Sequence, residues 1–575
     1  MKALTSRAAL VVAVWAGLFG ACSKDKTKGS AWEQLGRSPA VEKNRAAAAS
    51  IKSPPMLAQV PADTPYVFAL LEPIPQAYWS RTCDAMCAPL EKLLASGTTL
   101  SGQRKGDRLI RAIAGEIVGK LSKDGLASLG LSAKMRMVIY GLGTLPVMRA
   151  ELADAKAFAA TIARIEKNSG TTFPQRTLTG QPKPTPFYYT SGAGEALAIG
   201  VVDKELVATF GRIGAVEAEL PVLFGGQPVP GPTMADGAAL KKIAADYGFA
   251  GYGVGYVDFH KLIEASYPTP MPVAPPAGAP ATAAGAPSTD PQATCRAALE
   301  RGAAVFPRMV FGYDEISAKR AWMSSVLEAD RDTAAALKAA QLSVPGVTSR
   351  MPQGALLVLG GAVDRGKLTP LYHRAMAWAN ETSSACGGGA LDDLQGGFAN
   401  LGMAGGLDFD DVSGGVLALM SIDFSGGMPQ SASGFAIIGV KDAGSFLQSL
   451  GMLLGDSAGK VKADGKFHTV DLGPVASFVK SPVKIAGKDG AVVIAAGDKA
   501  RATAEDATRG PASPSPFLVL AYDVGKLQSM MGSIMQATPE LAALIKAEGK
   551  LLGPAIFTVQ PQPNGLGITA RLDLL

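Results

Sequence analysis

The segment VDFHKL, Val257 to Leu262, sets Asp258, His260 and Lys261 almost side by side in a chain with only three histidines. A carboxylate beside an imidazole is the pairing that orients a general base, so the cluster invites a catalytic reading. GDSAG, Gly455 to Gly459, fits the GxSxG pattern of a serine nucleophile, with Ser457 as the nucleophile and His468 as its base. LDFDD, Leu407 to Asp411, gathers three carboxylates of the kind that hold calcium. CDAMC places Cys83 and Cys87 about one helical turn apart, where they could close a local disulfide or supply half of a zinc site.

Each pattern depends on the element that carries it. A nucleophile elbow needs a strand before the serine and a helix after it, whereas the helical LQSLGMLL precedes Ser457 and the turn-rich KVKADGK follows. A polar loop is the plainer reading. LDFDD departs from the EF-hand spacing, with Val412 at the fifth position and Leu419 where a bidentate glutamate belongs. A solvated acidic loop is expected there. GKDG and GDSAGK are too short for a phosphate loop, and GYGVGY, Gly251 to Tyr256, reads as glycines alternating in a strand. No histidine stands near CDAMC. A Cys83–Cys87 disulfide is therefore favoured over zinc, with Cys295 and Cys386 as the complementary pair. No metal or cofactor is expected.

VDFHKL also has echoes. VDRGKL, Val363 to Leu368, and YDVGKL, Tyr522 to Leu527, keep the aspartate, lysine and leucine, each after an apolar run, and replace His260 by Gly366 and Gly525. An aspartate between a strand and an amphipathic segment can accept the free amide hydrogens of a first helical turn. Asp258, Asp364 and Asp523 are thus expected as helix caps, a role that does not need the imidazole.

Further echoes follow in a fixed order. DAKAF at Asp154 answers DAGSF at Asp442, each between a strand and an amphipathic helix, so Asp154 and Asp442 join the caps. A hairpin comes next, LAIGVVDKELVATFG with a turn near Asp203 and Lys204, or VKIAGKDGAVVIAAG with a turn at Lys488 to Gly490. RAALERGAAVFPRMVFGYDE then answers LAALIKAEGKLLGPAIFTVQ, and KRAWMSSVLE or LGITARLDL closes the series. This order implies two tandem units, 59–341 and 342–575. The frequent hairpins point to an α+β fold, each unit a mainly antiparallel sheet with amphipathic helices on one side. The Pro- and Ala-rich tract 267–292 has only a short counterpart in the second unit and reads as an inserted disordered loop.

The 575 residues, 47% hydrophobic, are ample for several cores. The net charge of +6 comes without a block of five like charges, and aromatics are 6%. Neither a phosphate-tracking groove nor a base-stacking platform is visible, so nucleic acid is not an expected partner.

At the N-terminus, Lys2 and Arg7 precede a run of about 12 apolar residues, too short for the roughly 20 that span a bilayer, and Gly20, Ala21 and Cys22 follow. The stretch FGAC resembles the lipobox of bacterial lipoproteins. That resemblance implies cleavage after residue 21 and lipidation of Cys22. Ser23 stands where an aspartate would direct inner-membrane retention, so a lipid anchor in the outer membrane is expected, followed by a flexible tether over 22–58 with room for one short helix. VPADTPYVFALLEP, from Val60, and YGLGTLPVMRAEL, Tyr140 to Leu152, resemble the opening of an exported bacterial family of unknown function, which implies no catalytic residues.

These readings converge on a non-enzymatic envelope lipoprotein that offers a binding or scaffolding surface to an envelope protein partner. A lipid or small-ligand carrier and an exported hydrolase with an unfamiliar site stand as the alternatives.

Overall fold

The computed structural model describes residues 32–34, 38–78, 105–268, 291–387, 411–454, 460–471, 481–527 and 552–574, apart from scattered single or paired positions. The signal segment, Cys22, Cys83, Cys87, Ser457 and most of the 267–292 tract lie outside the described residues.

The first half of the chain carries β1 (Trp32–Gln34), β2 (Tyr66–Leu70), β3 (Met137–Leu142), β4 (Leu145–Glu151), β5 (Gln175–Arg176), β6 (Phe187–Gly192), β7 (Glu195–Val202), β8 (Glu205–Arg212), β9 (Val254–Asp258), β10 (Arg308–Ile316) and β11 (Arg320–Glu328). The second carries β12 (Arg350–Pro352), β13 (Leu357–Ala362), β14 (Val412–Ser425), β15 (Met428–Val440), β16 (His468–Val470), β17 (Val483–Lys488), β18 (Ala491–Ala496), β19 (Leu518–Asp523), β20 (Leu552–Gln562) and β21 (Gly565–Leu574). The helices used below are α1 (Ala40–Ala47), α2 (Lys105–Ile117), α3 (Ala155–Ser169), α4 (Ile213–Phe224), α5 (Ala238–Tyr247), α6 (Phe259–Ser266), α7 (Pro291–Val305), α8 (Arg331–Ala339), α9 (Arg365–Cys386), α10 (Ala443–Leu454) and α11 (Asp498–Thr508). The fold is α+β, mixed helix and antiparallel sheet.

Traced from neighbour to neighbour, one ladder runs β5-β6-β7-β8-β4-β3-β2-β9-β10-β11 through the first half. It crosses from β11 to β21 and continues β21-β20-β19-β13-β14-β15-β18-β17-β16. Every pair is antiparallel. Among the described residues β5 and β16 have one neighbour each, so the ladder is an open path whose ends are not joined.

Neighbouring residues on a strand point to opposite faces, and here both are apolar. Val67, Ala69 and Val138 pack with Leu220 of α4 and Leu240 of α5. Phe68, Leu70 and Met137 pack on the other face with Ala112 of α2 and Phe158 of α3. In the second half, Ile437 and Val493 meet Ala500 and Ala504 of α11, while Ile438, Val492 and Ile494 meet Leu447 of α10. Helices therefore cover both faces of the sheet, and the expectation of one-sided cover is corrected. The strands already show the reason as continuous apolar runs without polar alternation.

The N-terminal boundary is also corrected. Residues 40–58, expected as part of a flexible tether with room for one short helix, form α1 and, with Gln59, two short 3-10 turns, and their Val41, Ala48, Ile51, Met56 and Leu57 are buried. The apolar spacing hidden in the alanine-rich sequence gives this segment a face to bury. The Asn44 side-chain amide donates to the carbonyls of Gly248 and Asp314, fixing α1 on the first half, whereas β1 pairs with β12 of the second.

A second bridge between the halves joins α7 to α9. Trp378 Nε1 donates to the Ala298 carbonyl at 2.8 Å, and a Cβ on Gly302 would stand 2.5 Å from the Trp378 ring, so glycine is what lets the two helices approach. Cys295 and Cys386 form a disulfide, S–S 2.03 Å.

Candidate functional site

At VDFHKL the three polar side chains diverge. Asp258 ends β9 and its carboxylate accepts from the Lys261 amide at 3.1 Å, capping α6. His260 points away, its Nδ1 2.7 Å from the Glu300 carboxylate of α7, and the pair is half-exposed. Glu300 also lies 3.8 Å from Arg296. Lys261 Nζ ends on the Ala62 carbonyl at 3.5 Å. Asp258 is therefore not the orienting partner of His260.

The echoes hold the same backbone arrangement without an imidazole. Asp364 accepts from the Lys367 amide at 3.2 Å and Asp523 from the Lys526 amide at 3.0 Å. Each lysine again reaches a carbonyl, Lys367 that of Ala339 and Lys526 that of Gly354. This lysine tie was not anticipated, although the invariant spacing of aspartate and lysine was its visible signal. Asp154 caps α3 by accepting from the Lys156 and Ala157 amides. Asp442 accepts from the Ser445 hydroxyl and the Gly444 amide, each at 2.8 Å, and these bonds hold its carboxyl below the usual range.

His468 sits on the edge strand β16, with Nε2 3.1 Å from Asp464. The Asp464 carboxyl is held low first by the Lys466 amide and then by His468. Of LDFDD only Asp411 is among the described residues, and its carbonyl accepts from the Lys441 amide. Among the described residues no cluster of three or more His, Cys, Asp or Glu is arranged to hold a metal ion. No described helix is long and apolar enough to cross a membrane, which says nothing about strands.

A buried polar group that sequence reasoning missed lies where β11 meets β10 on one side and β21 on the other. Asp314, Ser324, Thr569 and Arg571 are all buried; Ser324 donates to Asp314 at 2.8 Å. Arg571 Nε donates to Asp573 at 2.7 Å, and its guanidinium lies 5.1 Å from the Trp322 ring. Isolated apolar-looking strands conceal this group, because its members come together only through the register of Trp322 with Arg571 and Ser324 with Thr569. The chemistry is that of a buried ionic joint in which Arg571 is paired with Asp573 while the Trp322 indole N–H has no hydrogen-bond partner among the described residues. At one end of the same seam, an open cleft of about 620 Å3 is lined by Pro307, Arg331, Ala334, Lys338 and Asn564. Glu328 at its floor is already engaged by Arg308 in a two-pronged contact, at 2.8 Å in each arm, and by the Tyr247 hydroxyl.

The face of the sheet that carries α2, α3 and α10, here called the outer face, has the opposite chemistry between those helices. Met323, Leu359, Leu417 and Leu518 are the exposed large hydrophobics among the described residues, and all four project from that one face. No family model, no curated protein and no solved structure matches the chain.

Proposed function

We propose that the chain is a lipid-anchored envelope protein of the bacterial outer membrane, tethered through Cys22, that presents a binding or scaffolding surface to an envelope partner and carries out no reaction of its own. The observation behind this reading is the use made of the residues that could do chemistry. Asp154, Asp258, Asp364, Asp442 and Asp523 accept amide hydrogens at the starts of helical segments, and the one histidine among them turns to a surface glutamate.

The reading includes a duplicated body. Counted outward from the seam, the strands fall as last, eighth, seventh, first, second, third, sixth, fifth and fourth of each half, leaving aside β1, β12 and the two-residue β5. Such agreement supports one plan used twice, over 59–341 and 342–575, and makes the recurring aspartates joints of that plan.

Metabolic labelling with an alkyne palmitate tests the anchor. Label on the wild-type protein and none on Cys22→Ala is expected, with the variant leaving the membrane fraction. Crosslinking in intact envelopes tests the scaffold: a reproducible partner supports it, and turnover of an ester or peptide library by the purified chain would replace it with the hydrolase.

A further inference from the structure

The outer face is apolar along whole rows of the ladder. Following the register from β11, Met323 stands beside Ala570, then Phe557, Leu520, Leu359 and Leu417. The adjacent row starts at Ala321 and Leu572, which pack into the core that holds Ala112 and Phe158, and continues through Ala555, Tyr522, Leu357 and Leu419. Neither row contains a charge. Met323, Leu359, Leu417 and Leu518 are 42%, 48%, 55% and 38% exposed.

Helices flank this strip. α2 and α3 pack over β2 and β3 on one side, and α10 over β17 and β18 on the other, all on the same face of the sheet. A helix stands about 10 Å thick, so the strip is the floor of a trough roughly that deep. The six strands from β11 to β14 make it on the order of 25 Å wide.

We propose that this trough binds the acyl chains of a membrane lipid. Apart from the Tyr522 hydroxyl, the two rows offer no side chain that could orient a polar ligand and none that carries charge, so a largely apolar occupant fits them. A second copy would need a raised apolar ridge to reach the floor, and among the described residues the exposed large hydrophobics all lie within the trough itself. A flat bilayer surface is kept off by the flanking helices, whereas extended acyl chains lying side by side fit between them.

The supply of lipid rests on the anchored-protein reading above. Trp32 pairs with Pro352, five residues before Leu357, and Cys22 precedes Trp32 by ten residues. That length extends to at most about 35 Å, which keeps the trough beside the bilayer that would supply its ligand.

The test uses the full processed chain with Cys22→Ser, so that it does not depend on lipidation. Titration with cis-parinaric acid is expected to give saturable fluorescence, weakened about tenfold by Leu359→Asp combined with Leu417→Asp. Lys338→Glu, in the seam cleft, is expected to leave it unchanged. Should the double variant misfold, Leu417→Trp replaces it, and its fluorescence is expected to be quenched by brominated palmitate. Absence of saturable binding, binding indifferent to the trough variants, or a dimer broken by Leu417→Asp would each overturn the proposal. Loss of palmitate labelling alone would remove the anchor and leave the trough standing.

Discussion

At the scale of single residues, the cluster that looks most reactive is divided among three unrelated partners. Asp258→Ala removes an N-cap and is expected to cost about 1 kcal/mol of stability. His260→Ala, at a half-exposed contact, is expected to stay within about 0.5 kcal/mol. Denaturant midpoints of the two variants check this ordering, and the reverse order would make the imidazole the structural member. The buried tyrosines make a separate statement about pH. Burial pushes the phenols of Tyr247, Tyr256 and Tyr313 each up to about 12 from an ordinary value near 10. Between those values the folded chain holds protons that the unfolded chain releases, so their stabilisation is complete below about pH 10 and fades as pH climbs towards 12. Alkaline melts should therefore fall steeply in that window, and Tyr313→Phe should make the decline shallower.

At the scale of elements, what was legible in the sequence was whatever depends on neighbours along the chain. Caps follow aspartate at a strand-to-helix boundary, and the β7–β8 turn passes through Asp203 and Lys204 at positive φ of 47° and 71°, as a two-residue hairpin requires. The polar seam was not legible, because Arg571 and Trp322 are 249 residues apart and meet only by register. Nor was the packing of residues 40–59, whose apolar side chains are too sparse to stand out among alanines. The disulfide shows both sides. Cys295 and Cys386 could be paired by elimination, but that the bond fastens α7 to α9 needed the fold. Replacing both cysteines by serine is expected to cost about 2–5 kcal/mol, read from urea unfolding under oxidising conditions.

For the molecule as a whole, the decisive junction is β11 against β21. Nine register pairs make the two halves one sheet, so a single calorimetric transition is expected. Ile568→Pro would remove a donor from the middle of that junction and should split the transition in two; one unaltered transition would show that other bridges suffice. A final consequence concerns mechanics. β1 holds to β12 by three rungs, Trp32 to Pro352 through Gln34 to Arg350, and any pull on the chain upstream of Trp32 arrives at the outermost rung first. Antiparallel rungs loaded from one end peel in succession and yield at low force. The clasp thus acts as a fuse: traction from the N-terminal side opens it before the load reaches α1 and the buried core behind it.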